Sequence, residues 1–174
     1  MHALPESLRC RPRARVVIVG GNDTSYGAKP EQGSWKQRFL NEVRSDTDLS
    51  RVHFVGKIPY ASFLVLMQMS TVHAYLTYPF VLSWSLIEAM DCGAAIVASD
   101  TAPVREVMTE GETGRLVDFF SVAALTDTVC ELLDDPAQRE RLGRNARESV
   151  VDRYDLKTRC LPRQLKILQD LQHL

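Results

Sequence analysis

The chain has 174 residues, 45% apolar and 25% charged, enough to bury one ordinary core and too few for two. Its formal net charge is −1, with bases and acids interspersed, so the electrostatic footprint of a nucleic-acid binder is absent. Four cysteines and four histidines lie scattered without a C-x-x-C pair, no apolar run reaches bilayer length and no secretory signal opens the chain, which together predict reduced thiols, no metal site and a cytoplasmic location.

The opening "MHALPESLRCRPRAR" is Arg-rich, but with Glu6 and two prolines it reads as a short helix feeding a strand rather than a transit peptide. "RVVIVGG", Arg15 to Gly21, is a β-branched run closed by glycines, the pattern of a strand buried on both faces of a parallel sheet. A polar, turn-rich stretch follows. "SWKQRFLNEVR" then places Trp35, Phe39, Leu40 and Val43 on one helical face behind a Ser34 cap. "RVHFVGK" predicts a second strand ending at Gly56, "YASFLVLMQMS" a helix and "TVHAYLT" a third strand.

The next helix runs from about Ser83 to Cys92 and stops at Gly93. "AAIVASD" is a fourth strand, "APVREVM" a short helix and "GRLVD" a fifth strand. A longer helix covers Val122 to Leu133. Gln138 to Val151 and Leu156 to Leu171 are amphipathic helices, the last with a kink or restart expected at Pro162. Strands alternating with helices at short spacing predict an α/β fold: a doubly wound, Rossmann-like parallel sheet in one domain, helices on both faces, with extra C-terminal helices. No repeat, low-complexity tract or long linker divides the chain.

Ligands of such sheets bind beyond the carboxyl ends of the strands. If Ser83 or a neighbour starts its helix, the N–H groups of Ser83, Trp84 and Ser85 are unpaired donors at a positive helix end, suited to a phosphate. Glu88, about one turn further in, is placed to accept hydrogen bonds from a vicinal diol such as ribose. Phosphate and ribose together indicate a nucleotide. Ser85-x-x-Glu88 fits a capping box equally well, in which Glu88 satisfies only its own backbone. The sequence lacks G-x-G-x-x-G after the first strand, a P-loop and a Gly-x-Ser-x-Gly elbow. "DTD" at Asp46 to Asp48 precedes a strand and reads as solvated turn residues rather than a metal-holding pair.

"VIVGG", "VHFVGKIPY" and "YPFVLSWSLIEAMDCGAAIVASDTAPVREVMTEGETGRLVD" resemble, in order and spacing, the nucleotide-sugar-binding half of the two-Rossmann-domain (GT-B) retaining glycosyltransferases, group 1, family four. The resemblance runs from about Ala3 to the last helix and is most specific at Leu86 to Met90 with Cys92-Gly93. It implies that Glu88 holds the donor ribose, that Val81, Leu82, Ser83, Trp84 and Ser85 contact diphosphate and sugar, and that Gly56, Lys57 and Ile58 lie beside the base. Gly20 and Gly21 face the same cleft or serve as turn residues. Glu88, Ser83 and Trp84 are the candidate catalytic positions, and no metal or other cofactor is expected.

Two departures accompany it. The family's first motif glutamate, eight positions before the second, is Phe80 here, and Val81-Leu82-Ser83 replaces the usual Gly-Phe-Gly turn. The basic pair and acceptor-binding domain that precede this half in the family have no counterpart, so the chain is expected to be one nucleotide-sugar-binding domain over residues 1–174, cut at its N-terminus and inactive alone. Its partners would be a nucleotide sugar and the acceptor-binding domain, with no nucleic acid, no transmembrane segment and peripheral membrane association left open through a parent enzyme. The rival is a non-catalytic Rossmann-like module with a degenerate nucleotide site, Phe80 and Trp84 filling the old pocket. An epimerase of the same architecture would need a histidine or acid poised at the sugar, and His53 and His73 read as strand residues.

Overall fold

The computed structural model describes residues 1–22, 27–78 and 81–172, of which Gln172 is described by its backbone only. Among the described residues five strands form, all paired in parallel: β1 (Val16–Val19) with β2 (Val52–Gly56), and β3 (His73–Tyr75) with β4 (Ile96–Ser99), which also pairs β5 (Arg115–Val117). Among the described residues the ladders β1-β2 and β3-β4-β5 share no strand pair.

The helices are α1 (Leu4–Cys10), α2 (Trp35–Val43), α3 (Tyr60–Met69), α4 (Trp84–Asp91), α5 (Ala102–Arg105), α6 (Val122–Asp134), α7 (Pro136–Tyr154) and α8 (Leu161–Gln172).

β4 is the centre of the larger ladder, and every residue of it is buried. Strand alternation sends Ile96 and Ala98 to one face, against Leu86, Ala89 and Met90 of α4 and Ala146 and Val150 of α7. Val97 turns to the other, against Val117 of β5 and Leu132 of α6. A fully buried leucine such as Leu86 contributes about 1.5–3 kcal/mol through removal of apolar area from water. Helices therefore cover both faces of this ladder, as a doubly wound sheet requires.

The smaller ladder differs from expectation. Val16, Ile18, Val52 and Phe54 pack under Leu4 and Leu8 of α1, but Val17 and Val55 on the opposite face remain 41% and 42% exposed. β1 is covered on one side only, because no described helix lies across its second face as α6 lies across β4. An apolar run fixes strand formation without fixing how many faces are covered.

Two arginines join the ladders. Arg51, in the 3-10 turn Leu49–Arg51 ahead of β2, donates through Nη1 to the carbonyls of Leu8 at 3.0 Å, Arg11 at 3.3 Å and Pro12 at 2.9 Å. The Leu8 carbonyl lies in the last turn of α1, where helix geometry supplies no internal donor, and those of Arg11 and Pro12 follow it. Arg11 in turn donates to the carbonyl of Cys130 on α6 at 3.0 Å and pairs with Asp134. Asp48 caps the 3-10 turn through Ser50 N–H at 3.1 Å and meets Arg51 Nε at 2.9 Å, so the Asp46 to Asp48 stretch is turn structure.

The C-terminal helices start differently from their sequence pattern. α7 begins at Pro136, two residues before the amphipathic pattern, because proline fits the first helical position and Asp135 accepts from Gln138 N–H at 2.8 Å. At Pro162 the break takes the form of a π turn, Leu156–Cys160, running into α8. The wider turn accommodates a residue that has no N–H and crowds the preceding carbonyl.

α7 crosses the α4–β4 turn at Gly143, where an added Cβ would stand 2.1 Å from the carbonyl oxygen of Gly93. Gly93 itself holds φ +70 just past the cap of α4, a conformation that favours glycine. Gly143→Ala is expected to lower stability by about 1–3 kcal/mol, read from urea unfolding, as the helix is pushed off the turn. Burial also holds the His73 imidazole below its ordinary 6.5. The neutral ring is favoured in the folded state, so its contribution is complete above pH 6.5 and is lost as the pH falls below that value. The urea midpoint of the chain should fall between about pH 7 and 5, and fall less in His73→Gln.

Candidate functional site

The carboxyl ends of β3 and β4 are locked together by one buried hydroxyl. Ser99, fully buried at the end of β4, accepts from Thr77 N–H at 2.8 Å and donates to the Thr77 carbonyl at 2.6 Å. The segment leaving β3 is thereby fixed before it turns toward α4. Its far end is fixed as well, since the hydroxyl of buried Tyr75 accepts from Ser83 N–H at 3.0 Å. Leu82 packs into the larger core between them. The first turn of α4 is therefore set by the sheet.

Ser83 is the N-cap of that helix, its hydroxyl accepting from Ser85 N–H at 3.3 Å and lying 2.9 Å from the Ser85 hydroxyl. This corrects the expectation of three unpaired donors. Ser83 N–H belongs to Tyr75 and Ser85 N–H makes a long bond to the cap, which leaves Trp84 N–H as the donor for which helix geometry supplies no partner. Two hydroxyls stand beside it.

Glu88 is the fifth residue of α4, about 7.5 Å along the axis from Ser83. With the cap at Ser83, the third helical position is Leu86, so no Ser85–Glu88 capping box forms. The carboxylate turns instead to α3, where the Tyr60 hydroxyl donates to Oε1 at 2.9 Å. That bond holds the phenol above its ordinary range. Tyr60 is the first residue of α3, directly after the Gly56, Lys57 and Ile58 loop and its cap Pro59. Gly56, at φ +68, accepts from Gly20 N–H at 3.0 Å, bringing the ends of β1 and β2 together. Gly20, Gly21 and Lys57 are exposed and Ile58 is half-buried.

The structure thus connects Glu88 to the Gly56–Ile58 loop through Tyr60. Val81 is exposed, and Trp84 stands 84% exposed, so the indole does not plug the space beside Glu88. Phe80 lies outside the described residues. At the β4 exit, Arg105 Nη2 donates to Asp100 at 2.6 Å, and the guanidinium holds that carboxylate below its usual range. His53 and His73 sit on β2 and β3. Among the described residues no three His, Cys, Asp or Glu side chains converge as a metal site would need, and no helix is long and apolar enough to cross a membrane.

Sequence reasoning missed Tyr60, Tyr75 and Ser99. A tyrosine at the first helical position after a strand-exit loop was the available signal for Tyr60. Tyr75 and Ser99 had only their places at strand ends.

A family profile described as glycosyl transferases group 1 matches residues 1–149. The chain belongs to this family. Glycogen synthase from Mycobacterium tuberculosis is 25% identical over 156 residues, 90% of this chain and 35% of the relative. Phosphatidyl-myo-inositol mannosyltransferase from Mycobacterium leprae is 29% identical over 161 residues, 89% of this chain and 38% of that protein. The chain therefore spans just over a third of the length of these curated relatives. In fold, it superposes on Anabaena HepE, solved in complex with UDP-glucose, with a TM-score of 0.80 at 22% identity, covering 100% of this chain and 45% of that one. The α/β architecture expected for the nucleotide-sugar-binding half of a group 1 glycosyltransferase is thus the one observed.

Replacing Ser99 by alanine should cost about 1–3 kcal/mol in urea unfolding, because both backbone groups of Thr77 lose their buried partner.

Proposed function

We propose that the chain is the donor-binding half of a glycosyltransferase that moves a sugar from a nucleoside diphosphate to an acceptor with retention at the anomeric carbon. The observation that carries this reading is the orientation of Glu88. Its carboxylate accepts from Tyr60, the first residue of α3 after the loop at the end of β2, with oxygen lone pairs left for a ribose diol. The diphosphate would lie at the head of α4, against Trp84 N–H, the hydroxyls of Ser83 and Ser85, and Ser85 N–H once its long cap bond is exchanged.

Departure of the diphosphate develops negative charge where this helix end presents positive potential, so the sheet-fixed first turn supplies electrostatic stabilisation. The scheme asks for no divalent metal. Gly56, Lys57 and Ile58 would flank the base, with Gly20 and Gly21 behind them. A phenylalanine at position 80 cannot hydrogen-bond a sugar hydroxyl, so the sugar would be held by backbone groups around Val81 and Leu82. The acceptor would be oriented by a further domain, for which the greater length of the relatives leaves room. Without it the chain would bind donor and not transfer.

Calorimetry with UDP, GDP and ADP should show weak binding of at least one. Glu88→Ala should weaken that affinity about tenfold or more, as expected for hydrogen bonds to a charged group. No heat with any of the three nucleotides would overturn the reading.

A further inference from the structure

We infer that Tyr60 is a positioning residue for ribose recognition: its hydroxyl fixes the carboxylate of Glu88 in the orientation that receives the diol and ties that orientation to the loop at the end of β2. The inference rests on the assignment of Glu88 to the ribose.

A half-buried Glu on a helix has three side-chain torsions, and an unheld carboxylate spends time on solvent or on nearby donors. Here one donor is fixed. Tyr60 has only two torsions, and its ring lies against Phe63, with centroids 6.5 Å apart, while Phe63 packs on the core that also contains Leu86 and Met90 of α4. The phenol is thus carried on a side chain with few torsions whose ring neighbours Phe63, a residue packed on the same core as the helix that bears Glu88.

The hydroxyl takes one acceptor site of Oε1 at 2.9 Å. An ionised carboxylate offers about four such sites, so Oε2 and the remaining site of Oε1 stay available. Two adjacent hydroxyls on a ribose can each donate to one oxygen, in the bidentate manner that a freely turning carboxylate achieves only at an entropy cost. A phenol is protonated at neutral pH already, and the bond to Glu88 raises its pKa further, so Tyr60 stays a donor there. The second consequence is positional. Tyr60 follows the Gly56–Ile58 loop by one residue beyond Pro59, so a shift of that loop moves the hydroxyl and with it the carboxylate. Base contact and ribose contact become one geometric unit.

The test compares UDP, GDP and ADP with their 2′,3′-dideoxy counterparts by calorimetry on the unaltered chain, Tyr60→Phe and Glu88→Ala. Tyr60 is 60% exposed, so its phenylalanine variant keeps the ring against Phe63 and should melt with the unaltered chain. The expected result is a preference for the ribonucleotide in the unaltered chain that falls about five- to tenfold in Tyr60→Phe, with dideoxy affinity unchanged, and disappears in Glu88→Ala. A Tyr60→Phe chain that keeps the full preference, or loses affinity for both ligands equally, overturns the role of Tyr60 while leaving Glu88 in place. Absence of nucleotide binding by the unaltered chain overturns both assignments.

Discussion

A single buried hydroxyl holds the working end of this molecule in register. Ser99 sits where a polar group is costly unless satisfied, and it is satisfied twice by one residue of the neighbouring strand exit. The two bonds fix both backbone groups of Thr77, so the chain leaves β3 along a defined path. Tyr75 performs the matching task at the head of α4, spending its phenol on Ser83 N–H. Between these anchors lies the segment from Tyr78 to Leu82, whose family motif has changed most. The frame is carried by residues inside the sheet.

The relation between Ser83 and Glu88 shows how local and tertiary constraints divide. Sequence spacing admits two starts for α4, one residue pair apart, and only one of them consumes Glu88 in a cap. Tyr75, eight residues before Ser83 in sequence, favours the first of them, because its hydroxyl accepts from Ser83 N–H at 3.0 Å. With Ser83 as cap, the glutamate falls at a position with no backbone donor of its own to satisfy. The same choice withdraws Ser83 N–H from any ligand. Anion recognition at this helix end rests on fewer backbone donors, with serine hydroxyls beside them.

Much of the architecture was legible because it depends on short-range chemistry. The β-branched runs became strands, Ser34 caps α2 through Gln37 N–H at 3.2 Å, and Gly93 ends α4 at positive φ. The resemblance in Leu86 to Gly93 identified the family because those residues serve the helix, the turn and the candidate site at once. What escaped was set by packing between distant elements. Nothing in "RVVIVGG" says that α1 covers one face and leaves Val17 exposed on the other. Nothing near Tyr60 in sequence names Glu88, 28 residues away. Ser99 is an ordinary serine until the Thr77 backbone stands opposite it.

The two arginines between the ladders carry a mechanical consequence. Among the described residues no strand pair crosses from β1-β2 to β3-β4-β5, so shear along that seam is resisted by side chains rather than by a backbone ladder. Arg51 gathers three carbonyls at the tail of α1, and Arg11 carries the load on to α6. A lysine, with its single rotatable ammonium in place of a planar fork, cannot reproduce that grip. Both side chains are largely covered, Arg51 at 19% and Arg11 at 28% exposure, so added salt screens these links less than it would a surface pair. Among the described residues the joint between the ladders thus draws on two guanidinium groups rather than on strand pairing.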